Sequence, residues 1–172
     1  MLTVIIPTRE SERTLVQTLS PLVAGATAGL IAEVIVADAG SRDATEEVAE
    51  IAGCRFMQSD APAGKRLKQA ASCARTPWLL FLRPGTVPEP GWADAVEDFV
   101  CGRERAAAFR TRSGRGLLGL FGPRVRPEQG LLIPKRLYER IGGHPPREDA
   151  EAAFLRKARP VLLTATIRPP IT

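Results

Sequence analysis

The sequence predicts an α/β protein with a mostly parallel sheet and helices on both faces. Three observations lead there. Apolar or β-branched runs at residues 3–7, 33–37, 55–59 and 78–82 read as strands. Segments with helical apolar spacing separate them, and this β-α-β-α-β-α-β order implies parallel strands joined by crossover helices. The polar, chemically capable loops all follow strands, so they gather at the carboxyl ends, where open α/β sheets bind ligands.

The first strand stops at Pro7 and enters the polar loop Thr8-Arg9-Glu10-Ser11. The next helix places Leu15, Leu19, Leu22 and Val23 on one face. The second strand, 33–37, breaks at the turn-favouring Asp38-Ala39-Gly40-Ser41. Asp43 is the expected N-cap of the following helix, with Glu46 at capping-box spacing. Asp38 thus stands at the carboxyl end of a strand. Its carboxylate either accepts hydrogen bonds from a ligand's sugar hydroxyl or base N–H, or caps the turn. The helix from Ala44 is expected to bury Ala44, Val48, Ile51 and Ala52 and to stop at Gly53. After the third strand, the loop 60–64 leads into a helix starting near Lys65, with Leu67, Ala70, Ala71 and Ala74 inward. The fourth strand runs into a rigid proline-rich loop from Arg83 to Gly91.

The second half is read as a helix from Trp92 burying Trp92, Ala95, Val96, Phe99 and Val100, then strands at 106–112 and 129–133. Pro134 suits the first position of a helix carrying Leu137, Tyr138 and Ile141, which Gly142-Gly143 ends. The last helix starts near Glu148, and 161–165 is a terminal strand.

A chain of 172 residues fits one domain, spanning 1–172, with a real core. The net charge of +5 comes from arginine and points to an anionic partner. Seven arginines lie between Arg103 and Arg126 against one acid, Glu104, around the apolar run 116–122. That stretch is either a solvated face with its leucines on the core, or an interfacial segment whose arginines meet anionic lipid headgroups. A peripheral membrane contact follows from the second reading. Basic charge alone also fits an α/β nucleic-acid-binding protein. Aromatics are few, however, and no stacking platform is visible, so no nucleic-acid partner is expected. Three cysteines, an odd number without metal-ligand spacing, suggest reduced thiols in the cytoplasm, with Cys73 and Cys101 as small buried hydrophobes. The N-terminus shows no signal-like pattern, and the longest apolar-leaning run, 22–32, is too short to span a bilayer. His144, the only histidine, reads as a surface turn residue in Gly-Gly-His-Pro-Pro.

Taken in order, these stretches resemble a family-2 glycosyltransferase of the GT-A fold. Residues 3–8, with Pro7 and Thr8, look like that family's first strand and nucleotide-contacting loop, which continues through Glu10. Asp38 matches the position that helps hold the nucleoside, and Gly64-Lys65-Arg66 is similar to the basic helix start near the diphosphate. Gln129-Gly130 and Gly142-Gly143 look like the acceptor-side segment, and Glu148-Asp149 resembles the Glu-Asp pair whose aspartate is the catalytic base. The resemblance implies a nucleotide-binding half (1–90) and an acceptor-side half (91–172). It further implies a nucleotide-sugar donor; the acceptor is expected to be lipid-linked, from the interfacial reading of the arginine stretch, or a polysaccharide.

The departure is at Arg83-Pro84-Gly85, where the family carries Asp-x-Asp on Mn²⁺ or Mg²⁺. No carboxylate occurs there before Glu89, so the usual ligands of a divalent cation are absent and no metal-binding residue is assigned. Arg83 is read either as a fixed cation in place of the metal, which would make transfer metal-independent, or as a residue of a decayed site. Ala39 and Glu10-Ser11 are smaller departures. The Glu148-Asp149 pair has an ordinary explanation too, as acids in the first turn of a helix. Three functions are therefore carried forward: an inverting sugar transferase, an inactive nucleotide-binding module of the same fold, and the basic nucleic-acid binder.

Overall fold

In the computed structural model, which describes residues 1–111 and 125–170, the strands form one eight-stranded sheet ordered β3-β2-β1-β4-β7-β6-β8-β5. The elements are β1 (Leu2–Thr8), α1 (Glu12–Thr27), β2 (Ile31–Asp38), α2 (Thr45–Ile51), β3 (Arg55–Gln58), α3 (Ala63–Cys73) and β4 (Trp78–Phe81). They continue with β5 (Val87–Pro88), α4 (Trp92–Val100), β6 (Ala107–Thr111), a 3₁₀ turn (Pro127–Gln129), β7 (Leu131–Pro134), α5 (Lys135–Arg140), α6 (Ala150–Ala158) and β8 (Val161–Arg168). β1, β2, β3 and β4 pair in parallel, as does β6 with β8, while β7 runs antiparallel to both β4 and β6. The expected α/β class with a mostly parallel sheet is the one found. The expected strand at 106–112 appears as β6, but its end falls outside the described residues, as do the apolar run 116–122 and the arginines at 112, 115 and 124.

Burial on both faces explains the continuous apolar strands. Leu2, Val4 and Ile6 of β1 join the core under α1 and α4, with Leu15, Leu22, Trp92 and Val96. Ile5 points the other way, with Leu67, Ala70 and Ala71 of α3, Tyr138 of α5 and Phe154 of α6. Among the described residues no helix is long and apolar enough to cross a membrane.

Five expectations need correction. On α1 the buried stripe runs through Leu15, Thr18, Leu22 and Gly25, which leaves Val23 on the exposed flank. On α2 the sheet-facing pair is Thr45 and Ala49, one turn apart, so Ile51 is turned away and is 81% exposed. The expected capping box is absent: Ala44 is the N-cap of α2. The Asp43 carboxylate instead accepts from the Thr45 N–H at 3.1 Å and from the Glu12 N–H at 3.0 Å, tying the starts of α2 and α1 together. Cys101, just past the end of α4, is exposed, and Cys73 is only half-buried at the end of α3.

His144 is the fifth. It is 2% exposed and packs against the rings of Phe81, Tyr138 and Phe154. Its backbone N–H donates to the Tyr138 hydroxyl at 3.2 Å, and that hydroxyl lies 3.0 Å from Nδ1. Turn composition suggested exposure, but the chain after Gly143 folds back under α5 and α6 and carries the imidazole into the core. Burial lowers its pKa to about 3 from the ordinary 6.5. The unfolded chain therefore binds a proton that the folded chain refuses, and stability should fall as pH drops from about 6.5 toward 3, by up to about 1.4 kcal/mol per pH unit. Urea titrations at pH 6.5 and pH 4.5 check this. His144→Gln should flatten that part of the pH profile, whatever it does to absolute stability.

Candidate functional site

Parallel pairing sets the carboxyl ends of β1 to β4 side by side, and register makes Thr8 and Asp38 direct partners. The Thr8 hydroxyl donates to Asp38 Oδ1 at 2.7 Å, and the Ser41 hydroxyl donates to the same oxygen at 2.6 Å. The N–H groups of Gly40 and Ser41 donate to Oδ2 at 2.8 and 2.7 Å. Asp38 is fully buried. Burial raises its pKa, but the bonds from Ser41, Thr8 and Gly40 outweigh it and hold the carboxyl below its usual value. The aspartate thus closes the turn after β2 and fastens it to the end of β1.

The loop after β1 is stitched to the same turn. Glu10 adopts a left-handed backbone, φ 48°, uncommon for a side chain of its kind. Its N–H donates to the Ser41 hydroxyl at 2.8 Å, and its carboxylate accepts from the Arg42 N–H at 2.9 Å. These bonds hold the strained residue in place.

From α3 comes Arg66, only 8% exposed. Its Nε donates to the Ala37 carbonyl at 3.4 Å and Nη1 to the Ala61 carbonyl at 2.7 Å. Beside it, Gly64 is a place where only glycine fits. A Cβ there would lie 1.8 Å from the Pro145 carbonyl oxygen, and the Gly64 N–H donates to the Arg147 carbonyl at 3.0 Å. This contact docks the segment carrying Glu148 and Asp149 onto the start of α3.

Antiparallel pairing of β4 with β7, Phe81 opposite Leu131, sets the 3₁₀ turn beside the end of β4. Arg83 lies between two carboxylates there. Nη1 contacts Glu128 Oε1 at 2.8 Å, while Nη2 and Nε contact Glu151 Oε2 at 2.8 and 2.9 Å. Burial works against the guanidinium charge, but Glu151 and Glu128 more than compensate and raise its pKa above the usual value.

These loops surround an open cleft of about 450 Å³. Pro7, Thr8, Arg9 and Glu10 line it from the β1 loop, Arg66 from α3, Arg83 from the end of β4, and Glu148 and Glu151 from α6 and its approach. Of the other expected site residues, Asp38 lies behind Thr8, and Lys65 is exposed at the start of α3. Asp149, its side chain 73% exposed, pairs with Arg147 at 2.9 Å. Gln129 accepts from the Arg126 N–H and donates to the Phe109 carbonyl, and Gly130 borders a small cavity with His144 and Glu151. Glu128, Glu151 and Arg9 were not assigned to the site from the sequence. Glu151 had a signal: it stands one helical turn after Glu148. Glu128 had none, because it reaches Arg83 only through strand pairing.

Among the described residues no three potential ligands converge as a metal site. At the end of β4 a guanidinium fills the space between the two carboxylates, so the residues there do not fit a divalent cation.

Residues 3–154 match the family model described as glycosyl transferase family 2. A search of curated proteins gave no match. Among solved structures, the fold resembles Staphylococcus aureus TarS 1-349, with 18% identity and a TM-score of 0.73, over 94% of this chain and 57% of that one. The same fragment in complex with UDP gives 16% identity and a TM-score of 0.75, over 99% and 60%. Glucosyl-3-phosphoglycerate synthase from Mycobacterium tuberculosis, in complex with Mn²⁺, UDP and glucosyl-3-phosphoglycerate, gives 18% identity and 0.73, over 100% and 72%. At these identities the likeness is one of fold, and this chain spans little more than half of the TarS fragment.

Proposed function

The chain belongs to glycosyl transferase family 2, and from that premise we propose that it transfers a sugar from a nucleotide-sugar donor to an acceptor hydroxyl, with inversion and without a metal held at the end of β4. One observation carries the reading: Thr8, Glu10, Arg66, Arg83, Glu148 and Glu151, from four separate stretches of the chain, line a single cleft at the carboxyl end of the sheet. The solved relatives hold UDP in TarS, and Mn²⁺ with UDP in the synthase. A uridine nucleotide is therefore the first donor to test.

In the proposed reaction the acceptor oxygen attacks the anomeric carbon as the bond to the diphosphate breaks, and the hydroxyl proton passes to a carboxylate. The Glu148-Asp149 pair supplies that carboxylate. The resemblance favours Asp149, but Glu148 is the member on the cleft wall. The departing diphosphate needs positive charge. Arg66 is the cation best placed to supply it, being buried on the cleft wall with two of its five N–H groups committed to carbonyls. Lys65 and Arg9 add charge nearby, with Pro7, Thr8 and Glu10 shaping the nucleoside side and Asp38 holding that side in place. Gln129 and Gly130 remain the proposed acceptor-side turn, next to a lipid-linked or polysaccharide acceptor. Basic residues at 103–126 would hold the protein against anionic headgroups.

The test is calorimetry with UDP, UDP-glucose and UDP-N-acetylglucosamine, with EDTA and with Mn²⁺, followed by a transfer or donor-hydrolysis assay. Binding and turnover that survive EDTA are expected. Binding that requires Mn²⁺ would reject metal independence. Nucleotide binding without turnover on any acceptor tried would leave the binding module as the better reading.

A further inference from the structure

Arg83 is the obvious candidate to contact the diphosphate, yet its surroundings are wrong for an anion. Two carboxylates sit 2.8 Å from its nitrogens, so the group of Arg83, Glu128 and Glu151 carries a net negative charge. At a partly buried site, a phosphate oxygen attracted to the guanidinium would face two like charges at nearly the same range, and the repulsions cancel the gain. An uncharged ligand with many hydroxyls meets the opposite situation. Three of the five guanidinium N–H groups are taken by the carboxylates, which leaves two donors among the contacts of the described residues. Among the described residues each carboxylate is bonded through one oxygen, leaving Glu128 Oε2 and Glu151 Oε1 as acceptors. A sugar hydroxyl both donates and accepts, so donors and acceptors held side by side match it. The ion pairs also fix the three side chains before any ligand arrives, which lowers the cost of ordering them.

Position in the sheet supports the same division. Arg66 is anchored on the Ala37 and Ala61 carbonyls, on the β2 and β3 side of the cleft. Arg83 and Glu128 stand on the far side of β1, at the paired ends of β4 and β7, and Glu151 on α6 reaches the same place. Arg66 and the Arg83–Glu151 pair are therefore set apart along the cleft wall, which Glu10 and Glu148 also line, while Glu128 holds Arg83 without lining the cleft itself.

We infer that Arg83, Glu128 and Glu151 form the subsite for the neutral glycosyl group of the substrate, and that the diphosphate lies toward Arg66. This rests on the proposed nucleotide-sugar reading and names which part of the donor each end of the cleft takes.

The experiment compares UDP with the tighter of UDP-glucose and UDP-N-acetylglucosamine by calorimetry, for wild type, Glu128→Gln and Arg83→Met. Thermal melts confirm that each variant is folded, and Glu128→Gln changes no volume. The wild type should bind the sugar nucleotide more tightly than UDP. Both variants should weaken the sugar nucleotide by about tenfold, the loss of one charged hydrogen bond, and leave UDP within about twofold. Arg83→Met weakening both ligands in parallel would overturn the inference and return Arg83 to the diphosphate. Equal wild-type affinity for the two ligands, or no change in either variant, would overturn it as well. A wild type that binds no UDP at all would instead remove the transfer reading on which the inference stands.

Discussion

Glu148→Gln is expected to lower turnover by about a hundred- to ten-thousand-fold while leaving UDP affinity within about twofold. The split follows from what a base touches. It takes the acceptor's proton, and its neutral isostere cannot, but it makes no required contact with the diphosphate. Glu148 is the pair member on the cleft wall, whereas the Asp149 carboxylate is engaged by Arg147 at the surface. Asp149→Asn should therefore cost much less. The reverse ranking, with Asp149→Asn inactive and Glu148→Gln near wild type, would assign the proton to Asp149 and require that it leave Arg147 when the acceptor binds. Full activity in both variants would remove the pair from the chemistry. A pH–rate profile adds a check, since loss of the base should remove the limb on the acid side.

The largest effect on the fold is expected at Asp38. Its fully buried carboxylate satisfies two hydroxyls and two backbone N–H groups, those of Gly40 and Ser41 being half-buried. Asp38→Ala leaves these donors without an acceptor, and each unsatisfied buried group costs about 1–3 kcal/mol. A loss of at least about 3 kcal/mol in urea unfolding is expected, with Asp38→Asn between that and wild type because one acceptor oxygen remains. The folded pKa is depressed below 3.8. The stabilisation is therefore complete above the unfolded carboxylate's pKa and is lost as pH falls through the lower folded value. This acid limb lies below the one assigned to His144. A variant Asp38→Ala within about 1 kcal/mol of wild type would mean that the turn after β2 finds other partners.

The Asp38 result shows how sequence and structure divide the work. Its place after a β-branched run and before a turn cluster was legible, because strand period and turn chemistry are local properties. That its carboxylate is spent on Thr8, Ser41 and Gly40 was not, because Thr8 reaches it only through parallel pairing across thirty residues. The same division holds for His144. The turn Gly-Gly-His-Pro-Pro was readable, but burial among Phe81, Tyr138 and Phe154 depends on where α5 and α6 dock. Ile51 fails for a smaller reason: the buried face of α2 runs through Thr45 and Ala49 rather than Ala44 and Val48, one residue or about 100° round the helix, which exposes a residue expected inside.

By itself, the sequence determined the α/β class, the strand-then-loop order that gathers polar residues at one sheet edge, and the missing carboxylates after β4. Each of these follows from periodicity, turn composition or residue identity, which neighbours along the chain decide. The tertiary structure alone decided that Arg83 lies between Glu128 and Glu151, that Glu148 rather than Asp149 lines the cleft, and that Gly64 permits the contact joining the two. Those facts depend on antiparallel pairing of β4 with β7 and on the approach of α3 to Pro145 and Ala150. Long-range register and helix docking set which charges meet, and no local pattern encodes them.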